Sequence, residues 1–236
     1  MTSTHDRHRP DLEAEDMAAT ARQLERDLLR RLNPDSIVLD IGANRGQFAE
    51  EILALTPVRT IYSFEPVPDA HAALSALAAS HPSVVPVCKA VSTTNGTASF
   101  FVTASDVGSS LLAPLPGQPS KWLTVEREVT VETQRLDDFI RQTLGQDGPV
   151  IDLLKSDAQG ADLDVIRSAG DFLNPAKIRA VLVEINFTSF YQGQQAYHEI
   201  FAELDAAGYR MAWMYPHRAH DEWLWWADVL FIGKEG

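Results

Sequence analysis

Residues 38–53, VLDIGANRGQFAEEIL, pass from an apolar stretch through a Gly/Asn turn into a helical pattern. Val38, Leu39 and Ile41 form a strand signal interrupted only by Asp40, and from Gln47 onward Phe48, Ile52 and Leu55 recur on one helical face. A strand that turns tightly into a helix is the opening unit of a parallel α/β sheet. The alternation continues downstream. TIYSFE reads as a strand, an Ala-rich helix starts at Pro68-Asp69, and VVPVCKAV reads as the next strand. After residue 135 come helix LDDFIRQTL, strand VIDLLKSD, helix ADLDVIRSA, strand IRAVLVEI and a helix over 194–207 ended by Gly208. The last strands, YRMAWMY and WADVLFIGK, are separated only by Pro216 to about Trp223. So short a link demands antiparallel pairing, because a parallel crossover needs about a dozen residues. The expected fold is α/β and Rossmann-like, a mostly parallel twisted sheet with a terminal antiparallel hairpin.

Two segments depart from the rhythm. Met17, Ala21, Leu24, Leu28 and Leu32 recur at spacings of three and four, so residues 11–32 read as an amphipathic helix ended by Asn33-Pro34. Residues 1–33 are then an N-terminal extension of one domain over 34–236, serving as a lid, a sheet cover or a contact between copies in a homo-oligomer. Residues 95–135 read as a β-hairpin insertion at the sheet edge, around the Pro/Gly-rich tip LLAPLPGQPSK.

Composition narrows the partners. The 236 residues are 45% hydrophobic and 22% charged, enough for one sizeable core. The start has no apolar h-region, and the run at 223–233 is broken by Asp228 and too short to span a bilayer, so a soluble, cytoplasmic protein is expected. Cys88 is the lone cysteine, expected as a small buried hydrophobe. A formal charge of −13 argues against a nucleic-acid partner and favours small neutral or cationic ligands.

In such a sheet the ligand binds at the carboxyl ends of the strands, which for the first strand is Asp40 to Gly46. The glycines at 42 and 46 fall one short of a dinucleotide fingerprint. A pyrophosphate needs bare backbone at a helix N-terminus, whereas Asn44 adds a side chain and Asp40 a carboxylate that repels phosphate. A ligand carrying an ammonium and a sulfonium but no phosphate fits: S-adenosylmethionine. Glu65 ends the second strand 25 residues after Asp40, where an acid takes ribose hydroxyls. The competing reading makes Asp40 a turn cap and Glu65 a solvated strand end.

The motifs DIGANRG (40–46), YSFEP (62–66), KAVS (89–92), GSSL (108–111), RLDDF (135–139), LLKSDAQGADLDVI (153–166), VLVEI (181–185) and DVLFI (228–232) together resemble the FkbM-type methyltransferases of class I. The resemblance spans roughly 35–232 and implies O-methylation of a hydroxyl on a small molecule such as a sugar, glycoside or polyketide-type metabolite. By position it implies that Asp40, Gly42, Ala43, Asn44 and Gly46 shape the methionine side of the pocket. Glu65 and Pro66 then face the ribose, and Lys89, Ala90 and Val91 the adenine edge. Asp157, in K-x-D-x-x-G, would face the transferred methyl and act as base. Here the chain departs from the commoner K-I-D-V-E-G, because Gln159 replaces a carboxylate and cannot be a base.

The acceptor side is expected from two loops. In 186–194, Asn186, Phe187, Phe190 and Tyr191 offer an aromatic lid or ordinary packing. In 216–223, His217 and His220 are alternative bases beside Asp221 and Glu222, or lie in a solvated turn. Ser109 and Ser110 reach in from the insertion, with no argument for which one. No metal is expected: His198-Glu199 lacks a second His four residues on, and Asp137-Asp138 suit a helix start. A non-catalytic cofactor-binding or scaffold protein is the alternative. A nicotinamide enzyme is disfavoured by Asn44 and by the lack of a Tyr-x-x-x-Lys pair.

Overall fold

The computed structural model describes residues 10–117, 121–220 and 223–234. Seven strands form the main sheet: β1 (Ile37–Ile41), β2 (Thr60–Phe64), β3 (Val84–Val87), β7 (Leu153–Ser156), β8 (Ala180–Asn186), β9 (Tyr209–His220) and β10 (Trp223–Gly233). Their order is β3-β2-β1-β7-β8-β10-β9. All neighbours are parallel except β10, which runs antiparallel to both β8 and β9. The chain reverses direction across the sheet between β1 and β7, and a crevice at their carboxyl ends follows from that reversal.

Alternation along each strand sorts the core into two faces. Val38, Ile61, Leu153 and Leu182 pack with α1 (Pro10–Leu29), α2 (Gln47–Leu55) and α3 (Pro68–Ser80) through Leu28, Ile52 and Leu74. Leu39, Ile41, Leu154 and Val183 pack with α4 (Leu136–Leu144), α5 (Asp162–Ser168) and α6 (Tyr197–Ala206) through Ile140, Leu163 and Leu204. The first helix is therefore a sheet cover. Tyr215 of β9 seals it by donating a 2.7 Å hydrogen bond to Asp27 in α1.

Four sequence expectations need correction. The segment 84–91 is two strands: after β3 the chain breaks at Cys88-Lys89 and Ala90–Val91 (β4) joins a second sheet. Cys88 sits at that break and is exposed. The insertion is the expected hairpin, β5 at Gly96–Thr103 antiparallel to β6 at Val125–Gln134, but it does not extend the main sheet: with β4 it forms a separate three-stranded sheet ordered β4-β6-β5. The segment after Pro216 is not a loop either, because β9 runs through it to His220 paired with β10. Proline is tolerated there because β9 is an edge strand.

Candidate active site

Register sets the floor of the site. Asp40 lies beside Ser63 on one side and Lys155 on the other, and alternation turns all three to the α1–α2 face. Asp40 is 0% and Lys155 9% exposed. Lys155 Nζ lies 3.5 Å from Asp40 Oδ1 and 3.4 Å from Asp157 Oδ2, and Ser63 donates to Asp40 Oδ2 at 3.2 Å. Burial pushes the Asp40 carboxyl up despite the pull of Lys155. Burial also opposes the charge on Lys155, but Asp157 and Asp40 outweigh it and its pKa rises. Asp40 is thus a counter-ion beneath the site; it does not line the cleft between the two sheets, where the resemblance placed it.

The ends of β1 and β7 press together above this floor. Gly42 has φ +75°, and a Cβ there would stand 2.0 Å from the Asp157 carbonyl oxygen, so only glycine fits. Glu65 is 7% exposed and accepts the Asn44 N–H at 3.0 Å and the Val67 N–H at 2.7 Å. It clamps the glycine turn to the end of β2 and is no solvated strand end. Gly46 serves the fold instead of the cleft: at φ +101° it starts α2, packed against Leu74 and Leu77 of α3.

A second turn presents Asp157 and Gln159. The Asp162 carboxylate accepts bonds from Ser156 Oγ (2.6 Å), the Ala158 N–H (2.9 Å) and the Gly160 N–H (3.2 Å). Burial pushes Asp162 up to about 6, against those three bonds. Gln159 adopts φ +51°, unusual for a side chain of its size. Its amide nitrogen donates to Asp157 Oδ1 at 2.7 Å and to Glu184 Oε2 at 2.9 Å, while its carbonyl accepts from the Tyr191 hydroxyl at 2.9 Å. Burial, then the charges of Asp157, Asp162 and Asp228, hold Glu184 well above the usual carboxylate range.

A cleft of about 280 Å³ opens between the two sheets. Gly42, Asn44, Glu65, Pro66, Lys89, Ala90 and Val91 line it, together with Ser109, Asp157 and Gln159. The insertion adds Phe100, Val102 and Thr103, which the sequence reading missed. Ala43 faces a second cavity on the α1–α2 side. Of the two serines, Ser109 reaches the cleft, and Ser110 is buried with its hydroxyl donating to the Gln159 backbone carbonyl at 2.8 Å.

The expected acceptor residues of 186–194 line neither cavity. Phe190 and Tyr191 are each 2% exposed. Phe190 packs on Trp122, Trp225 and Trp226, and Phe187 on Tyr197. Asn186 lies 3.5 Å from Glu184 Oε2. These groups brace the site from behind. The side chains of His217 and His220, and Asp221 and Glu222 entirely, lie outside the described residues. Asp137 is held by Arg135 at 2.8 Å, and among the described residues no group of three metal-ligating side chains occurs. No described helix is long and apolar enough to cross a membrane.

Comparison with known proteins gives the family and the fold. The Methyltransferase FkbM domain matches residues 40–211. The 2-O-methyltransferase NoeI of Sinorhizobium fredii (strain NBRC 101917 / NGR234) is 32% identical over 176 residues, 68% of either chain. The crystal structure of Methyltransferase FkbM from Methylobacillus flagellatus KT superposes at TM-score 0.57 and 11% identity over 86% of this chain, which spans 44% of that protein. TrmK of M. capricolum, solved with S-adenosylhomocysteine, gives TM-score 0.50 at 8% identity, covering 89% of this chain and 67% of its own. At such identities these structures share the fold, a class I methyltransferase sheet.

Proposed function

The chain belongs to the FkbM methyltransferase family, and on that premise we propose that it methylates a hydroxyl of a small molecule, such as a sugar, glycoside or polyketide-type metabolite. S-adenosylmethionine supplies a methyl group already activated on its sulfonium. The residues fit that cofactor. Asn44 Oδ1 is buried and has no hydrogen-bond partner among the described residues, an acceptor that an ammonium donor would satisfy. Glu65, fixed by two backbone N–H bonds, lines the cleft at the end of β2, where an acid takes ribose hydroxyls.

The observation that carries the reading is the place of Asp157. Its side chain is 34% exposed and lines both cavities, with Lys155 and Gln159 each holding one oxygen. A carboxylate so oriented aligns an acceptor hydroxyl and takes its proton. Alignment supplies about 7–11 kcal/mol of a barrier and a base roughly 3–5 kcal/mol, so the rigidity of the turn matters as much as the proton transfer.

The test is methyl transfer from S-adenosylmethionine to a panel of glycosides and polyketides, beside thermal shifts with S-adenosylmethionine, S-adenosylhomocysteine and NAD. Stabilisation by NAD alone overturns the reading. Stabilisation by S-adenosylmethionine without transfer to any acceptor favours a non-catalytic cofactor-binding protein.

A further inference from the structure

We infer that the cavity between α1, α2 and the ends of β7, β8 and β10 is the acceptor site, and that it takes neutral or amine-bearing sugars and rejects anionic ones. The inference rests on the methyltransferase reading above. The cavity measures about 440 Å³, inside the roughly 300–1,000 Å³ of small-molecule sites. It shares Gly42, Asn44, Val107 and Asp157 with the cofactor cleft. A ligand here meets Asp157 from the side opposite the cofactor.

Its walls set the chemistry. Ala21 and Leu24 of α1, Phe48 of α2 and Leu182 of β8 give an apolar side, and Glu51, Asp157 and Asp228 give carboxylates. Lys155 is the one cation among the described lining residues, and it is committed to Asp40 and Asp157. Below it, the fully buried Asp40 Oδ1 has the 3.5 Å ion pair with Lys155 and no hydrogen bond among the described residues. Glu51, Asp157 and Asp40 outnumber Lys155, so negative charge is in surplus among these side chains. Carboxylates accept hydroxyl and ammonium donors, while a ring such as Phe48 suits the C–H face of a pyranose. A carboxylate or phosphate on the ligand would meet like charge in a partly dehydrated site. Burial pushes the Glu51 carboxyl up, and a cationic ammonium beside it would favour its charged form.

The experiment uses the full chain saturated with S-adenosylhomocysteine and titrated with methyl glucoside, glucosamine and glucuronate, followed by calorimetry and saturation-transfer NMR. Glucosamine and methyl glucoside should bind, with glucuronate at least about ten-fold weaker. Ala21→Trp, at an exposed position of α1, should abolish sugar binding and leave S-adenosylhomocysteine affinity and melting temperature unchanged. Glu51→Gln should cut the preference for glucosamine over glucuronate about ten-fold. Equal binding of glucuronate, or sugar binding that survives Ala21→Trp, overturns the inference. Loss of S-adenosylhomocysteine affinity in either variant overturns it too, by assigning the cavity to the methionine end of the cofactor. If wild type binds S-adenosylhomocysteine but no sugar, the acceptor inference alone fails. If it binds no S-adenosylhomocysteine, the methyltransferase reading fails instead.

Discussion

Gln159 and Glu184, 25 residues apart in sequence, are joined by a 2.9 Å hydrogen bond from the amide to Glu184 Oε2. The same amide nitrogen bonds Asp157 at 2.7 Å, so a neutral donor stands between two carboxylates. Gln159→Glu should therefore lower stability by about 1–3 kcal/mol at pH 8 and by much less at pH 5. The sign follows from linkage: the added acid has a folded pKa above its unfolded value, so stability falls as pH rises between the two and stays low above. Urea unfolding at both pH values measures it. Equal losses would show that the amide is not what keeps the acids compatible.

Asp157→Asn should reduce turnover about 10²–10⁴-fold with cofactor affinity nearly intact, because a base acts on the transition state. Steady-state kinetics and calorimetry separate the two effects. A mild phenotype, with His217→Ala or His220→Ala severe, would move the proton to the β9–β10 hairpin. Parallel losses of affinity and turnover would assign Asp157 to the methionine ammonium.

Glu65→Gln should weaken S-adenosylmethionine binding by roughly 1.5–3 kcal/mol. The clamp adds a second expectation. One of the N–H groups of Asn44 and Val67 would face an amide donor, so the melting temperature should fall alongside affinity. Unchanged affinity with a lowered melting temperature would confine Glu65 to the clamp.

Much of this was legible in the sequence, for definable reasons. Period-2 and helical patterns in IVLDI and QFAEEILAL are local, and β1 and α2 lie where they indicate. Gly42 and Glu65 are marked by strand ends. Glu184 and Asp228 carried only the trace of a lone acid in an apolar run. They meet because β10 pairs antiparallel with β8, which sets Asp228 opposite Glu184, and register across non-adjacent segments is not written in either. Asp40 misled for a related reason: its position was right, but alternation turned it beneath the floor. The aromatics at 187–191 left a lid and ordinary packing both open, because composition does not reveal the tryptophans that cover Phe190.

Asp162 gives the protein a pH signature. Its folded pKa near 6 exceeds the unfolded value of 3.8, so it subtracts stability as pH rises from about 4 to 6, by roughly 3 kcal/mol in all. Asp162→Asn should remove that slope, at the expense of placing an amide donor among donors from Ser156, Ala158 and Gly160. Melting curves from pH 4.5 to 7.5 should show the variant flatter than wild type across the window, and parallel curves would mean that Asp162 titrates ordinarily.

The cleft walls come from two separate sheets, with Ile41 and Phe64 on one side and Ala90, Phe100 and Val102 on the other. A molecule held there works as mortar across a seam. Ligand bound to the folded protein stabilises it by mass action, about 2.7 kcal/mol at a hundredfold excess over Kd. Amide hydrogen exchange in β5 and β6 should then slow with cofactor concentration while exchange in β1 and β7 stays nearly constant, so that the small sheet reports cofactor supply.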